Sequence, residues 1–248
     1  MRKPAVIATT TFVKDINDVR AKLAIQMVAA AKQNNYRVVV VNSSPADFQS
    51  ELTERGAIVF HQDPNLGMGS SRRQAMTEAA KLAKEHDAII WMEPEKWTLV
   101  QSLDAIMWPV VRDQYDLVVP ERSQISLSSY PPEQQHAEML GNLAFQYLTG
   151  KHLDAWFGPF AMNQKALKYF LEYDGEYGDK WDSIFIPRLR IIKDGLRVAS
   201  VLVDYVHPKE QTKEETGNLA FLVKRIEQLL NLVPALQKEA QKLGTYPG

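Results

Sequence analysis

The sequence predicts an α/β protein, a three-layer α/β/α sandwich on a mainly parallel central sheet, closed by a C-terminal amphipathic helix. Three observations carry this. Through the first two thirds, short β-branched runs alternate with helix-length patterns, the sequence form of repeated βα units. The run Val38 to Val41 is apolar on both faces, as in a strand covered by helices on either side, which places it at the sheet centre. The tail from about 216 to 243 sets Leu219, Leu222, Val223, Ile226, Leu229, Leu230 and Val233 at helical spacing.

The elements follow in order. Ala5 to Thr10 reads as the first strand, followed by a helix from about Asp18 to Asn34. Tyr36 to Val41 is the second, followed by a helix from about Pro45 to Arg55. Ala57 to Phe60 is the third, leading through Asn65 to Gly69 into a helix that ends near His86. Asp87 to Met92 is the fourth; a helix from about Leu99 to Asp113 and a fifth strand, Asp116 to Pro120, come next. Ser and Pro cluster between Ser123 and Pro132, which predicts a loop before a helix from about Gln134 to Thr149, stopped by Gly150. Further helices are expected over Gln164 to Glu172 and Asp182 to Lys193, and a last strand within Leu196 to Val206. The charged stretch Lys209 to Glu215 reads as a flexible loop.

At 248 residues with 45% hydrophobic content, one domain with a sizeable core is expected over 1–248. Within it, the segments 1–122 and 123–215 and the closing helix over 216–248 are expected to share one core. Lys plus Arg (29) nearly balances Asp plus Glu (30), so no global field draws the chain to nucleic acid. The absence of cysteine excludes thiolate catalysis and Cys-ligated zinc, and makes a cytoplasmic location the default. No run of eighteen apolar residues occurs, so no transmembrane segment is expected, and the basic start lacks a cleavage-site pattern, so an unprocessed N-terminus is expected.

Ligands of open parallel sheets bind beyond the carboxyl ends of the strands. There the sequence puts Thr9, Thr10 and Thr11, then Asn42 and Ser43, then Asp63 to Ser71, then Glu93-Pro94-Glu95, with His207 after the last strand. Two carboxylates one residue apart can turn oxygens toward one hard cation, Mg2+ or Mn2+, that also grips a diphosphate. A solvated acidic turn would look the same. Gly67, Gly69 and Arg72 suit a diphosphate through flexible backbone, free helix amides and a guanidinium; an ordinary helix cap with surface arginines is the competing reading. Asp179 and Asp182 flank Trp181 at a helix start, where Asp182 is equally an N-cap. Trp156, Phe157, Phe160, Tyr177 and Trp181 gather around Gly158 and Pro159, as a platform for a sugar or as core.

In order and spacing these motifs resemble the family 2-like glycosyltransferases of the GT-A fold. The stretches that match are Gly67-Met68-Gly69-Ser70-Ser71-Arg72, Glu93-Pro94-Glu95 and Phe157-Gly158-Pro159-Phe160-Ala161, and the likeness runs from about Ala5 to His207. It implies a nucleotide-sugar-binding half over 1–122 and an acceptor-binding half over 123–215, with a nucleotide-sugar (UDP- or GDP-sugar) donor bound by Thr9, Thr10, Thr11, Asn42, Ser43, Gly67, Gly69, Arg72 and Glu93. It implies a small or polar acceptor near Trp156, Gly158, Pro159 and Trp181, and a metal on Glu95, Glu93 and His207. The His207 ligand is the feature shared with mannosylglycerate synthase-type enzymes. In inverting members a carboxylate near Asp182 or Asp179 takes the acceptor proton. Two departures stand out: Glu replaces Asp at both ends of the metal motif, and Asn42-Ser43-Ser44 replaces an Asp that often contacts the base. A nucleotidyltransferase would carry a Gly-rich basic loop after the first strand, and Ala8 to Phe12 has neither glycine nor arginine. A non-catalytic nucleotide-sugar binder is the third reading. For the closing helix, packing on the domain is the default because its polar face is mixed in sign; self-association and a membrane surface are the other roles it offers.

Overall fold

The computed structural model describes residues 2–62 and 65–244; the expected donor-side residue Asp63 lies outside them. The first unit is β1 (Ala5–Thr11), α1 (Val19–Gln33) and β2 (Arg37–Asn42), followed by α2 (Ala46–Glu54) and β3 (Ile58–His61). Then come α3 (Met68–Leu82), β4 (Ala88–Trp91), α4 (Leu103–Val111) and β5 (Leu117–Arg122). The remainder is α5 (Gln124–Ser128), α6 (Pro132–Thr149), β6 (Phe160–Met162), α7 (Gln164–Leu171), α8 (Asp182–Lys193), β7 (Val198–Val203), α9 (Lys209–Glu215) and α10 (Leu219–Lys242).

Local chemistry sets the boundaries. The Asp18 carboxylate accepts from the Arg20 amide to open α1, and Asn163 and Asn218 cap α7 and α10 in the same way. Gly150 stops α6 in the left-handed conformation, φ 68°, where a side chain would be strained.

The strands form one seven-stranded sheet in the order β3-β2-β1-β4-β6-β5-β7. All neighbours are parallel except β6, which runs antiparallel to both β4 and β5. That strand was not expected from the sequence. It is three residues long and lies inside an aromatic, Gly-Pro stretch without a period of its own. Its insertion lets the second half of the chain complete the sheet of the first.

Val38 and Val40 enter the core on one face, with α1, α2 and α4. Val39 and Val41 enter the core on the other, with α3, α6, α7, α8 and α10. Both faces of β2 are therefore covered, as its composition demands. Its place at the sheet centre is corrected: β2 is one strand in from the edge, and β4 is the middle strand. Double coverage reports helices above and below, which a penultimate strand has too.

Other expectations shift. Lys209–Glu215 is helix α9 rather than a flexible loop, held because buried Gln211 and Glu215 turn inward from a charged sequence. The Ser/Pro segment contains α5, capped by Ser123. The helix expected from Leu99 starts as a 3-10 turn, Trp97–Ser102. Helix α3 ends at Leu82 rather than near His86.

Candidate functional site

The carboxyl ends of β1, β2 and β4 open onto two adjoining cavities. The first, about 520 Å³, is lined by Thr10, Thr11, Phe12, Val13, Ser43, Gln62, Leu66, Gly67 and Ser71 among others. The second, about 230 Å³, is lined by Glu93, Lys96, Gln134, Glu138, Trp156, Phe157, Gly158, Trp181, His207, Lys224, Arg225 and Gln228 among others. Arg20, Met68, Arg72 and Glu95 line both and form their junction.

Of the expected donor residues, Thr10, Thr11, Ser43, Gly67 and Arg72 face the first cavity. Thr9 is fully buried beneath it. Asn42, also fully buried, accepts from Thr11 Oγ1 at 2.8 Å and from the Ser44 amide at 3.0 Å, so it ties two loops together from below. Gly69 is small for a different reason than phosphate approach: a Cβ there would overlap the Asp179 carboxylate.

Asp179 and Asp182 bind the protein. Asp179 pairs with Arg73 at 2.6 and 2.9 Å and accepts from Ser70 Oγ at 3.2 Å. Asp182 is 4% exposed and accepts from Tyr173 Oη at 2.5 Å, the Lys180 amide at 2.6 Å and the Asp179 amide at 3.1 Å. Asp182 opens α8 as its first residue; the N-cap position itself is Trp181. Neither carboxylate lines the two adjoining cavities.

Glu93 and Glu95, separated only by Pro94, have different surroundings. Glu93 sits on the Gly158 turn (φ 105°), where a Cβ would overlap its carboxylate, and its Oε2 lies 3.5 Å from Lys96 Nζ. Burial works against the charge of Lys96, but Glu93 and then Tyr205 and Glu95 outweigh it and hold the ammonium above the usual lysine range. Lys96 also stands 5.5 Å over the Phe157 ring. Glu95 has no hydrogen bond or salt bridge among the described residues and projects into the junction of the cavities.

His207 lines the second cavity, 2% exposed and stacked on Tyr130 at 4.2 Å. Its Nε2 lies 3.4 Å from Glu215 Oε2, and its Nδ1 has no partner among the described residues. Burial pushes the imidazole below its ordinary value, against the pull of Glu215, which favours the neutral ring. Tyr130 is held in turn by Arg122, whose guanidinium stands 4.8 Å over its ring and pairs with Asp154 and Glu138 at 2.6 Å each.

Several residues of this site were not anticipated. Arg20, from the first turn of α1, reaches Glu215 at 3.0 Å. Arg188 is fully buried between the rings of Phe160 and Phe185 and donates to the carbonyls of Ala155 and Gly158 at 2.7 Å each, fixing the turn on which Glu93 rests. Burial pulls its guanidinium down to about 9. Burial pulls Arg72, which the sequence did anticipate, down to about 10 as well; it donates to Lys180 O at 2.8 Å and stands 5.6 Å over Trp91. Among the unanticipated residues that line or support the cavities, Lys96 had a local signal, standing directly beside the acidic pair; Arg20, Arg188 and Arg225 sit in ordinary helical patterns.

The expected acceptor residues divide. Trp156, Gly158 and Trp181 line the second cavity, whereas Pro159 is buried behind it. Trp156 also packs on Gly141, leaving no room there for a Cβ.

No protein-family model matches the chain, and no curated protein sequence matches it. Solved structures do. The glucosyl-3-phosphoglycerate synthase of M. tuberculosis aligns over all of this chain and 82% of its own, at 12% identity and a TM-score of 0.57. That enzyme is also known in complex with Mg2+ and uridine diphosphate and with phosphoglyceric acid. The mannosyl-3-phosphoglycerate synthase of Rubrobacter xylanophilus aligns over 96% of this chain and 75% of its own, at 13% identity and a TM-score of 0.60. A cytidylyltransferase of Leptospira borgpetersenii aligns over 95% of this chain and 96% of its own, at 12% identity and a TM-score of 0.51. The chain has the GT-A fold, as the order of its motifs implied.

Proposed function

We propose that this chain transfers a sugar from a nucleoside diphosphate sugar, UDP- or GDP-linked, to a small anionic acceptor, with Mg2+ or Mn2+ on the diphosphate. The observation that carries this reading is the place of Glu95, a carboxylate without a hydrogen bond or salt bridge among the described residues, at the junction of two cavities of suitable size. The likeness to two sugar-phosphoglycerate synthases supports it.

The first cavity suits the nucleoside. Exposed Phe12 offers a ring face to the base, and Thr10, Thr11 and Ser43 offer hydroxyls to its edge and the ribose. Arg72 and Arg20 sit where a diphosphate would cross from one cavity to the other.

The donor set fits a hard divalent cation in part. Glu95 has no hydrogen bond or salt bridge among the described residues, and His207 lines the second cavity with a ring nitrogen that has no partner among them; these two would hold it. Glu93 is the exception, because Lys96 already neutralises it. When bound, such a cation would draw charge from the departing diphosphate as the glycosidic bond breaks. In this role Glu93 and Lys96 fix the floor of the cleft through the Gly158 turn, and Arg72 meets the developing phosphate charge.

Lys224, Arg225, Gln134 and Gln228 bring donors to the second cavity, which suits an acceptor bearing a carboxylate or phosphate. Asp182 and Asp179 carry the start of α8 in this reading, and no protein carboxylate is assigned the acceptor proton.

Incubation with Mg2+ or Mn2+ and a panel of UDP- and GDP-sugars should release nucleoside diphosphate only when metal is present. Absence of release, with no metal-dependent binding of any donor by calorimetry, would sink the proposal in favour of a non-catalytic protein. Release of pyrophosphate from a nucleoside triphosphate and a sugar phosphate would favour a nucleotidyltransferase.

A further inference from the structure

We propose that the outward faces of α6 and α10 form the interface of a symmetric dimer of this chain. On α10, Leu219, Val223, Ile226 and Leu230 follow at intervals of four, three and four residues, the spacing of a seam along which helices pack on helices. By helical periodicity this stripe lies opposite Phe221, Gln228 and Leu232, which are buried against the domain. On α6, Met139, Leu140, Leu143 and Tyr147 occupy the side opposite the buried Ala137, Gly141 and Phe145. These outward residues are 43% to 73% exposed.

The two helices pack side by side, tied near their starts where Glu133 Oε1 accepts from the Gly217 amide at 3.0 Å. Their combined exposed apolar area is roughly 800 Å², against the roughly 300–600 Å² of the largest patch on a typical monomer. That is about the area each partner contributes to a standard protein–protein interface, roughly 800 Å².

Charge selects the occupant. From Met139 to Thr149 α6 has no charged residue, and on α10 helical spacing puts the exposed Glu227 and Lys238, one of each sign, along the flank of the stripe. An anionic membrane calls for a rim of Lys and Arg, which this patch lacks. A nearly neutral two-helix face meets its own copy about a twofold axis without like-charge contact. The inner faces of the same helices line the second cavity through Gln134, Glu138, Arg225 and Gln228, so association would brace that wall. This inference does not rest on the sugar-transfer reading.

Light scattering after size exclusion, at micromolar concentrations of the intact chain, should give twice the 28.2 kDa of one chain. A Val223→Glu/Leu230→Glu variant should keep its circular dichroism and weaken self-association by about a hundredfold or more, since like charges would face each other. Because the chain has no cysteine, Ile226→Cys should form a disulfide-linked dimer under mild oxidation, while Glu54→Cys on α2 should not; this reads the interface even if the charged variant unfolds. A monomer at all these concentrations would overturn the proposal. So would a dimer unaffected by the two glutamates, or a monomer that floats with phosphatidylglycerol vesicles.

Discussion

Lys96 Nζ lies 3.5 Å from Glu93 Oε2 beneath the Gly158 turn, so one of the two carboxylates of the Glu-Pro-Glu motif already has a cation. The pair therefore splits its duties, Glu93 toward the protein and Glu95 toward the cleft.

Removal of the cation should show this directly. Lys96→Met leaves Glu93 without its counter-ion and should destabilise the fold by about 1–3 kcal/mol in urea titrations, less than a fully buried pair because the Glu93 side chain is 25% exposed. Unchanged stability would mean that the two charges are independent.

Gly158→Ala tests the turn. The left-handed φ of 105° and the carboxylate of Glu93 both oppose a Cβ, so the cost should be about 2–4 kcal/mol. In a Glu93→Ala background the same substitution should cost less, and the difference measures the contact. Equal costs in both backgrounds would leave only backbone strain.

Asp182 offers a way to separate scaffold from chemistry. Asp182→Asn should lose about 1–3 kcal/mol, since its carboxylate accepts from Tyr173 and two amides. Turnover should fall by less than about tenfold, short of the 10²–10⁴ associated with loss of a general base. A loss in that larger range at unchanged stability would restore Asp182 as the base.

Much of the fold was legible because its signals are local. The βα alternation, the doubly apolar Val38 to Val41 and the stop at Gly150 each report a periodicity or a backbone constraint. The strand order is not local, and it moved β2 from the centre. The antiparallel β6 was hidden because three residues, Phe160 to Met162, carry no period, and α9 because a charged string conceals Gln211 and Glu215 turning inward. In the site, strand ends located the cleft, and Thr10, Thr11, Ser43, Gly67, Arg72 and Glu95 do line it. Which carboxylate is free depended on Lys96, Arg188 and the Gly158 turn, and the last two come from distant parts of the chain.

The acid side of stability should depend on Asp116. Its carboxylate accepts from the side chain and backbone of Arg197 and from Asn163, and Arg197 above all holds it well below the usual carboxylate range. The folded value lies below the unfolded one of about 3.9. Its contribution is therefore complete above about pH 5 and is lost as pH falls through that range. Asp116→Asn should cost about 1–3 kcal/mol at pH 7, and the gap in denaturation midpoint should close toward about pH 2. A gap constant with pH would contradict this.

Titration calorimetry of a UDP- or GDP-sugar, or its nucleoside diphosphate, into the parent chain and Glu95→Gln, each with and without Mn2+, tests the proposed site most directly. Metal should tighten binding to the parent by at least about tenfold, about 1.4 kcal/mol, and Glu95→Gln should abolish that gain while its thermal unfolding is unchanged. Equal metal-dependent binding by the two proteins would contradict the assignment of Glu95.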